Sequence, residues 1–193
     1  VIVFEVSEHA SRLEALLGHG IVPSGRYARL LVHGMTMMSD TRDEQISNYG
    51  VVRRATGDVL IAGLGMGMIL IPILNKPEVR TVTVVEKHAD VIALVKPQIE
   101  AHKPFSIPAK GKRGRDHFAA LRVVHADIHD FAERGPWDAI YFDIWPDKSV
   151  DNLREIAKLK RRFARRLVRP NGWMAAWAEK ELRAARRRGD WRV

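Results

Sequence analysis

The chain has 193 residues, 46% of them hydrophobic and 28% charged, which suits a single globular domain, or one domain with a short appendage, and excludes a disordered segment. There is no cysteine, so disulfides, thiolate zinc sites, iron–sulfur clusters and cysteine nucleophiles are all ruled out. The net charge of +9 lies entirely in residues 151–193, where 14 Lys and Arg face 5 Asp and Glu; the preceding residues carry 18 of each sign.

The first residues, VIVFEVSEH, hold two glutamates and no basic run, which reads against a signal peptide and leaves the cytoplasm as the default compartment. Residues 1–56 mix short apolar stretches (VIVFEV, YARLLVHGM) with Gly, Pro and Ser. That composition predicts a small set of strands, or a strand and helix, packed beside a main domain spanning 57–193. From Gly57 the pattern sharpens. DVLIAG is an apolar run ending in glycine, GMGMILIPIL opens a helix, and TVTVVE is a β-branched run ending in an acid, so together they form a βαβ unit. The longest apolar runs are broken by glycines and Pro72 and fall short of the roughly 20 residues a membrane span needs.

A second helix is predicted over 89–102, kinked or ended near Pro97. A basic loop rich in Pro and Gly (KPFSIPAKGKRGRDHF) follows, then strands in LRVVHAD and AIYFDIW, a helix over 151–169, a PNG turn and a strand in WMAAWA. In this third helix Leu153, Ile156, Phe163 and Leu167 form an apolar side, with the basic residues largely outside it. The order β-α-β-α-β-β-α-β, with strands apolar on both faces, predicts an α/β protein: a doubly wound, mostly parallel sheet in three α/β/α layers with a short N-terminal appendage.

Three glycines, Gly63, Gly65 and Gly67, sit directly after a predicted strand and before a predicted helix, where the backbone must turn sharply and admit a ligand without a Cβ in the way. Glu86 ends the next strand, 21 residues after Gly65, where a carboxylate can accept both hydroxyls of a ribose. The spacing is G-x-G-x-G rather than the dinucleotide G-x-G-x-x-G, and no Gly-Lys-Ser/Thr follows, so a Walker-type phosphate loop is absent. Of the eight histidines, His125 and His129 flank Asp127 at i, i+4; the first ends a strand, which argues against a shared metal and leaves no metal site predicted. Trp173 and Trp177 fall on one face and read as core.

The glycine spacing resembles motif I of the class I S-adenosylmethionine-dependent methyltransferases, and the resemblance extends over roughly residues 28–178. It implies a Rossmann-like methyltransferase fold and assigns cofactor contacts to Gly63, Leu64, Gly65, Met66 and Gly67, to Glu86 and Lys87 at the ribose, and to Asp127 and Ile128 at the adenine. Asp143, at the end of the fourth core strand in WDAIYFDIWPD, takes the catalytic position, with Trp145, Asp147, Asp40 and Glu44 on the substrate side. The superfamily usually adds an antiparallel hairpin after the fifth strand. Its absence implies a truncated domain or an edge supplied by the N-terminal segment.

Two groups within that superfamily compete. The spermidine synthase-like aminopropyltransferases, polyamine enzymes that use decarboxylated S-adenosylmethionine, resemble the chain in Arg42, Asp43 and Glu44 and in the apolar run before the glycines. They carry an aspartate in the glycine loop where Met66 stands here, and read Asp-Pro where this chain has Pro146-Asp147. The guanidinoacetate methyltransferase-like group is similar in GLGM (Gly63 to Met66), in D-I-W-P (Asp143 to Pro146) and in Met37 and Met38, which imply a segment closing over the cofactor. The local register fixes no single counterpart of its substrate glutamate among Asp40, Asp43 and Glu44.

The reading favoured is an S-adenosylmethionine-dependent N-methyltransferase acting on an amine or guanidine of a small molecule. The alternatives are aminopropyl transfer, or a nucleic-acid-binding methyltransferase reached through the basic C-terminus. Nucleic acid enters as a weak second partner, no membrane partner is expected, and a homodimer is admitted.

Overall fold

The computed structural model describes residues 2–6, 23–32, 34–101 and 118–190. The basic loop expected over 103–118 lies outside them except for Phe118, as does the end of the last basic segment beyond Asp190.

Strands β1 (Ile2–Val6), β2 (Gly25–Val32) and β3 (Met35–Ser39) form an antiparallel sheet of their own in that order. Helix α1 (Arg42–Arg54) follows from Thr41. Three strands and a helix therefore occur here, where either strands or a strand and helix were expected, and these strands supply no edge to the main sheet. They pair only with one another among the described residues.

The main sheet contains β4 (Gly57–Ala62), β5 (Val79–Glu86), β6 (Ala120–His125), β7 (Ala139–Phe142) and β8 (Trp173–Ala176) in the order β6-β5-β4-β7-β8, with every pairing parallel. Its helices are α2 (Leu70–Leu74), α3 (Ala89–Ala101), α4 (Asn152–Phe163) and α5 (Glu179–Arg188). The period of two in a strand explains why this sheet is covered on both sides. Val59 and Ile61 bury with Val51 of α1, Ile73 of α2 and Val95 of α3, whereas Leu60 and Ala62 bury with Ile156 of α4 and Leu182 of α5. The result is the doubly wound, three-layer Rossmann-like fold.

Two helices depart from expectation. The glycine segment does not open a helix directly, because Gly65 and Gly67 have φ of +49° and +74°, outside the right-handed helical region; helical structure begins only at Leu70. Pro97 does not end α3, which runs on to Ala101. Burial of Val91, Val95 and Ile99 at i, i+4, i+8 offsets the backbone hydrogen bond that proline cannot donate. The apolar side of α4 also includes Leu159, which is fully buried; Leu167 lies beyond the helix and is partly buried. Trp173 and Trp177 both pack, partly buried, against the first cluster, in agreement with a core role.

Candidate functional site

Strand β4 is flanked by β5 on one side and β7 on the other, and the chain winds in opposite directions from it, so the crevice of the sheet opens at the carboxyl ends of β4 and β7. A cavity of about 630 Å³ occupies that position. Its floor is the loop after β4, represented by Gly63, Leu64 and Gly65; Glu86 and Lys87 from the end of β5 line one side, Asp127 and Ile128 after β6 the far end, and Asp143 and Trp145 after β7 the other side. Leu30, Val32, Met35, Met37 and Met38 of the small antiparallel sheet line it as well.

The glycine loop is shaped by contacts that exclude a side chain. Gly63 has φ +96°, and a Cβ there would collide with the backbone oxygen of Asp143. A Cβ on Gly65 would collide with the Met38 sulfur, which also accepts the Met66 N–H at 2.9 Å. Glu86 is buried and anchored from both oxygens: Oε2 accepts the Leu64 N–H and Oε1 the His88 N–H, each at 2.8 Å. These bonds fix the carboxylate at the cavity wall and leave lone pairs on each oxygen.

At the other end Asp127 Oδ1 accepts the His129 N–H at 2.9 Å and faces Nδ1 of the His129 ring at 2.7 Å. The backbone N–H of His129 and then its ring hold the Asp127 carboxyl below its ordinary value. The opposite nitrogen, Nε2, lies 2.8 Å from Glu155 Oε1, and Glu155 Oε2 accepts the Trp145 indole N–H at 2.6 Å. A continuous polar chain therefore runs Asp127, His129, Glu155, Trp145 along one wall. It leaves the Trp145 ring, itself buried, facing the cavity.

Asp143 stands apart from this network. Its backbone continues the sheet, with the N–H donating to Ala62 at 2.8 Å, while its carboxylate has no hydrogen-bond partner among the described residues. Burial, and after it the Glu44 carboxylate, push Asp143 up to about 7.

The cavity thus brings together Gly63, Leu64, Gly65, Glu86, Lys87, Asp127, Ile128, Asp143 and Trp145 among the residues singled out from the sequence. Five others do not line it. The Met66 side chain packs against the core, and Gly67 lies against Ile99 and Val95 of α3. Asp147 is exposed in the approach to α4, where its carbonyl accepts the Asn152 amide at 2.9 Å. Asp40 Oδ1 takes the Ala28 N–H at 2.7 Å, closing the end of the β2–β3 pair. Glu44 takes the Ser39 N–H at 2.8 Å and the Ser39 hydroxyl at 3.1 Å, so it reaches Asp143 through its field alone. Burial raises the Glu44 carboxyl, and the two Ser39 bonds oppose that rise.

His129, weighed in the sequence only as a metal ligand beside His125, and Glu155, which the sequence did not single out, both line the cavity. The signal for His129 was its spacing from Asp127. That for Glu155 was an acid in the first turn of an otherwise basic helix. No group of metal-ligating side chains occurs among the described residues, and none of their helices is long and apolar enough to cross a membrane.

No family model and no curated protein matches the chain. Solved structures do match it. The order β6-β5-β4-β7-β8 with every pairing parallel is that of a doubly wound α/β sheet. Coclaurine N-methyltransferase bound to N-methylheliamine and SAH is 14% identical with a TM-score of 0.49, over 69% of this chain and 34% of that one. The N-methyltransferase NodS from Bradyrhizobium japonicum WM9 is 12% identical with a TM-score of 0.47, over 70% and 68%. The glycopeptide N-methyltransferase MtfA complexed with S-adenosyl-L-methionine is 19% identical with a TM-score of 0.45, over 68% and 52%. The chain spans about a third of the first of these and about two thirds of the second.

Proposed function

We infer that the chain is an S-adenosylmethionine-dependent N-methyltransferase acting on an amine or guanidine group of a small molecule. The observation that carries this reading is the pairing, in one cavity, of a backbone-anchored ribose-type carboxylate, Glu86, with a carboxylate that has no hydrogen-bond partner among the described residues, Asp143. The cradle fits the cofactor: Gly63 and Gly65 keep side chains out of the loop, Glu86 offers lone pairs to two hydroxyls, and Asp127 and Ile128 offer an acceptor and an apolar surface to the base. A volume of about 630 Å³ lies within the usual range for a bound small molecule.

S-adenosylmethionine, when bound, supplies an electrophilic methyl carbon on a sulfonium. The residues of this chain act on the acceptor. An amine or guanidine arrives protonated, and its nitrogen has no lone pair to offer until a proton leaves. Asp143, pushed up to about 7, is poised near neutrality to accept that proton, the condition under which a general base is most effective. The Trp145 ring, held by Glu155, provides a face on which a cationic or planar group can rest. Alignment of donor and acceptor across the cleft supplies much of the remaining barrier reduction.

With the Met66 side chain in the core, the glycine loop offers no carboxylate to a lone aminopropyl ammonium, which favours the carboxylated donor. Calorimetry with S-adenosylmethionine, its decarboxylated form and methylthioadenosine tests the reading. The carboxylated donor is expected to bind at least as tightly as the decarboxylated one. A clear preference for the decarboxylated form would replace methyl with aminopropyl transfer, and absence of binding by all three would remove the cofactor assignment.

A further inference from the structure

The outer face of α4 repeats one sign of charge. Arg154, Lys158, Arg161, Arg162 and Arg165 are exposed at i, i+4, i+7, i+8 and i+11, so like charges follow one another down a single stripe of the helix and into the turn beyond it. Such spacing destabilises an isolated helix. Among the described residues no carboxylate pairs with any of the five.

Four of the five acids of the same segment are used elsewhere, and the fifth, Asp151, is exposed at the start of α4. Glu155 faces the cavity, Glu179 pairs with Lys160 and Arg183, Glu181 with Lys148, and Asp190 with Arg188. Helix α5 packs on α4 through Leu182 and Ala185 and adds exposed Lys180, Arg186 and Arg187 to the same layer. Near the end of the stripe Arg162 and Arg166 both donate to the Phe131 carbonyl at 3.1 Å and both lie over the Phe163 ring. Burial first, and then the guanidiniums of Arg162 and Arg134, lower Arg166, so three like charges converge at this point.

We propose that the outward face of α4 and α5 is a docking surface for the phosphate backbone of a nucleic-acid duplex, independent of the reaction in the cavity. Charge complementarity carries the choice. Four guanidiniums and one ammonium line this helical stripe, and the forked donors of the guanidiniums suit phosphate oxygens. An anionic membrane attracts the same charges, but inserted apolar side chains strengthen anchoring there, and among the described residues the large exposed hydrophobics, Met35, Ile46, Tyr49 and Leu94, lie on other elements. The same lack of exposed aromatic rings on α4 and α5 argues against a single strand, whose bases need stacking platforms. DNA and RNA duplexes share the phosphate chemistry.

The test is fluorescence anisotropy with short fluorescein-labelled duplexes of DNA and of RNA at several salt concentrations. With about five phosphate contacts, affinity should fall about 500-fold between 50 and 200 mM salt. Reversing two charges in Arg161→Glu/Arg165→Glu should lower the logarithmic salt slope by about 2, whereas Arg42→Glu/Arg53→Glu, which removes the same net charge from α1, should leave it unchanged. Circular dichroism checks that both variants remain folded. Binding of either duplex with this pattern supports the proposal, and the tighter one identifies the source. No binding at 50 mM salt, equal loss in both variants, or capture of phosphatidylserine vesicles without binding of either duplex would overturn it.

Discussion

The backbone oxygen of Asp143 fills the space in which a Gly63 side chain would stand. Two loops from neighbouring strands thus approach each other backbone to backbone at the switch point, and the cavity depends on that closeness. Gly63→Ala adds a Cβ where only backbone could yield, at φ +96°, which alone costs a non-glycine residue about 1–2 kcal/mol. The expected result is a lower melting temperature and loss of adenosyl-ligand binding. Gly50→Ala, at an exposed position of α1 with nothing within 4 Å of the new Cβ, should instead stabilise the protein by about 0.5–1 kcal/mol. Thermal unfolding of the two variants side by side checks both signs.

Glu86 serves two ends, since it fixes the Leu64 and His88 amides and faces the cavity. Glu86→Ala should weaken S-adenosylhomocysteine binding at least tenfold, because a charge-assisted hydrogen bond is worth about 1.5–3 kcal/mol. Glu86→Gln keeps one oxygen acceptor and should lose less than the alanine variant. A dissociation constant unchanged in both would refute the ribose assignment.

What the sequence revealed of this fold and site follows a physical boundary. DVLIAG and TVTVVE were readable as strands because a strand buried on both faces must be apolar throughout, and Glu86 stood out because an acid ends such a run. The helix over the glycine segment was overextended because the left-handed conformations of Gly65 and Gly67 leave no trace in hydrophobic pattern. The buried contacts of α3 that override Pro97 are likewise tertiary. Asp40 and Glu44 looked like substrate ligands because sequence shows an acid but not the backbone amide that consumes it. The joint role of His129 and Glu155 escaped for the complementary reason: their partners come from three separate segments and meet only once the sheet is assembled.

Glu155 holds the Trp145 indole and the His129 ring together. In Glu155→Ala the buried Trp145 N–H loses its acceptor, and an unmade hydrogen bond of this kind costs about 1–3 kcal/mol. Glu155→Gln retains an oxygen that can face the indole, so it should recover part of that stability. Denaturant unfolding measures the difference. Equal stability in the wild type and the alanine variant would show that the network does not order the cavity wall.

Asp143 makes opposite predictions for stability and for turnover, and that opposition separates a catalytic carboxylate from a structural one. Its folded value of about 7 lies above the 3.8 of the exposed side chain, so between these pH values the folded protein holds a proton that the unfolded chain has released. Stability from this group is therefore fully present below pH 4 and is lost as pH rises through about 7, where the native state must carry an ionised, poorly solvated carboxylate. Asp143→Asn removes that burden. The variant should be more stable than the wild type at pH 8, by about 2–4 kcal/mol, with the advantage shrinking toward pH 5. Turnover should move the other way, falling by roughly 10²–10⁴ because the amide cannot accept the acceptor's proton, while adenosyl-ligand affinity stays near normal. In the wild type the rate should rise with pH through a transition near 7 that the variant lacks. Thermal melts from pH 5 to 8, set beside a pH–rate profile on an accepted amine or guanidine, read out both effects; a variant that is destabilised at pH 8 and keeps its turnover would assign Asp143 to the framework of the crevice.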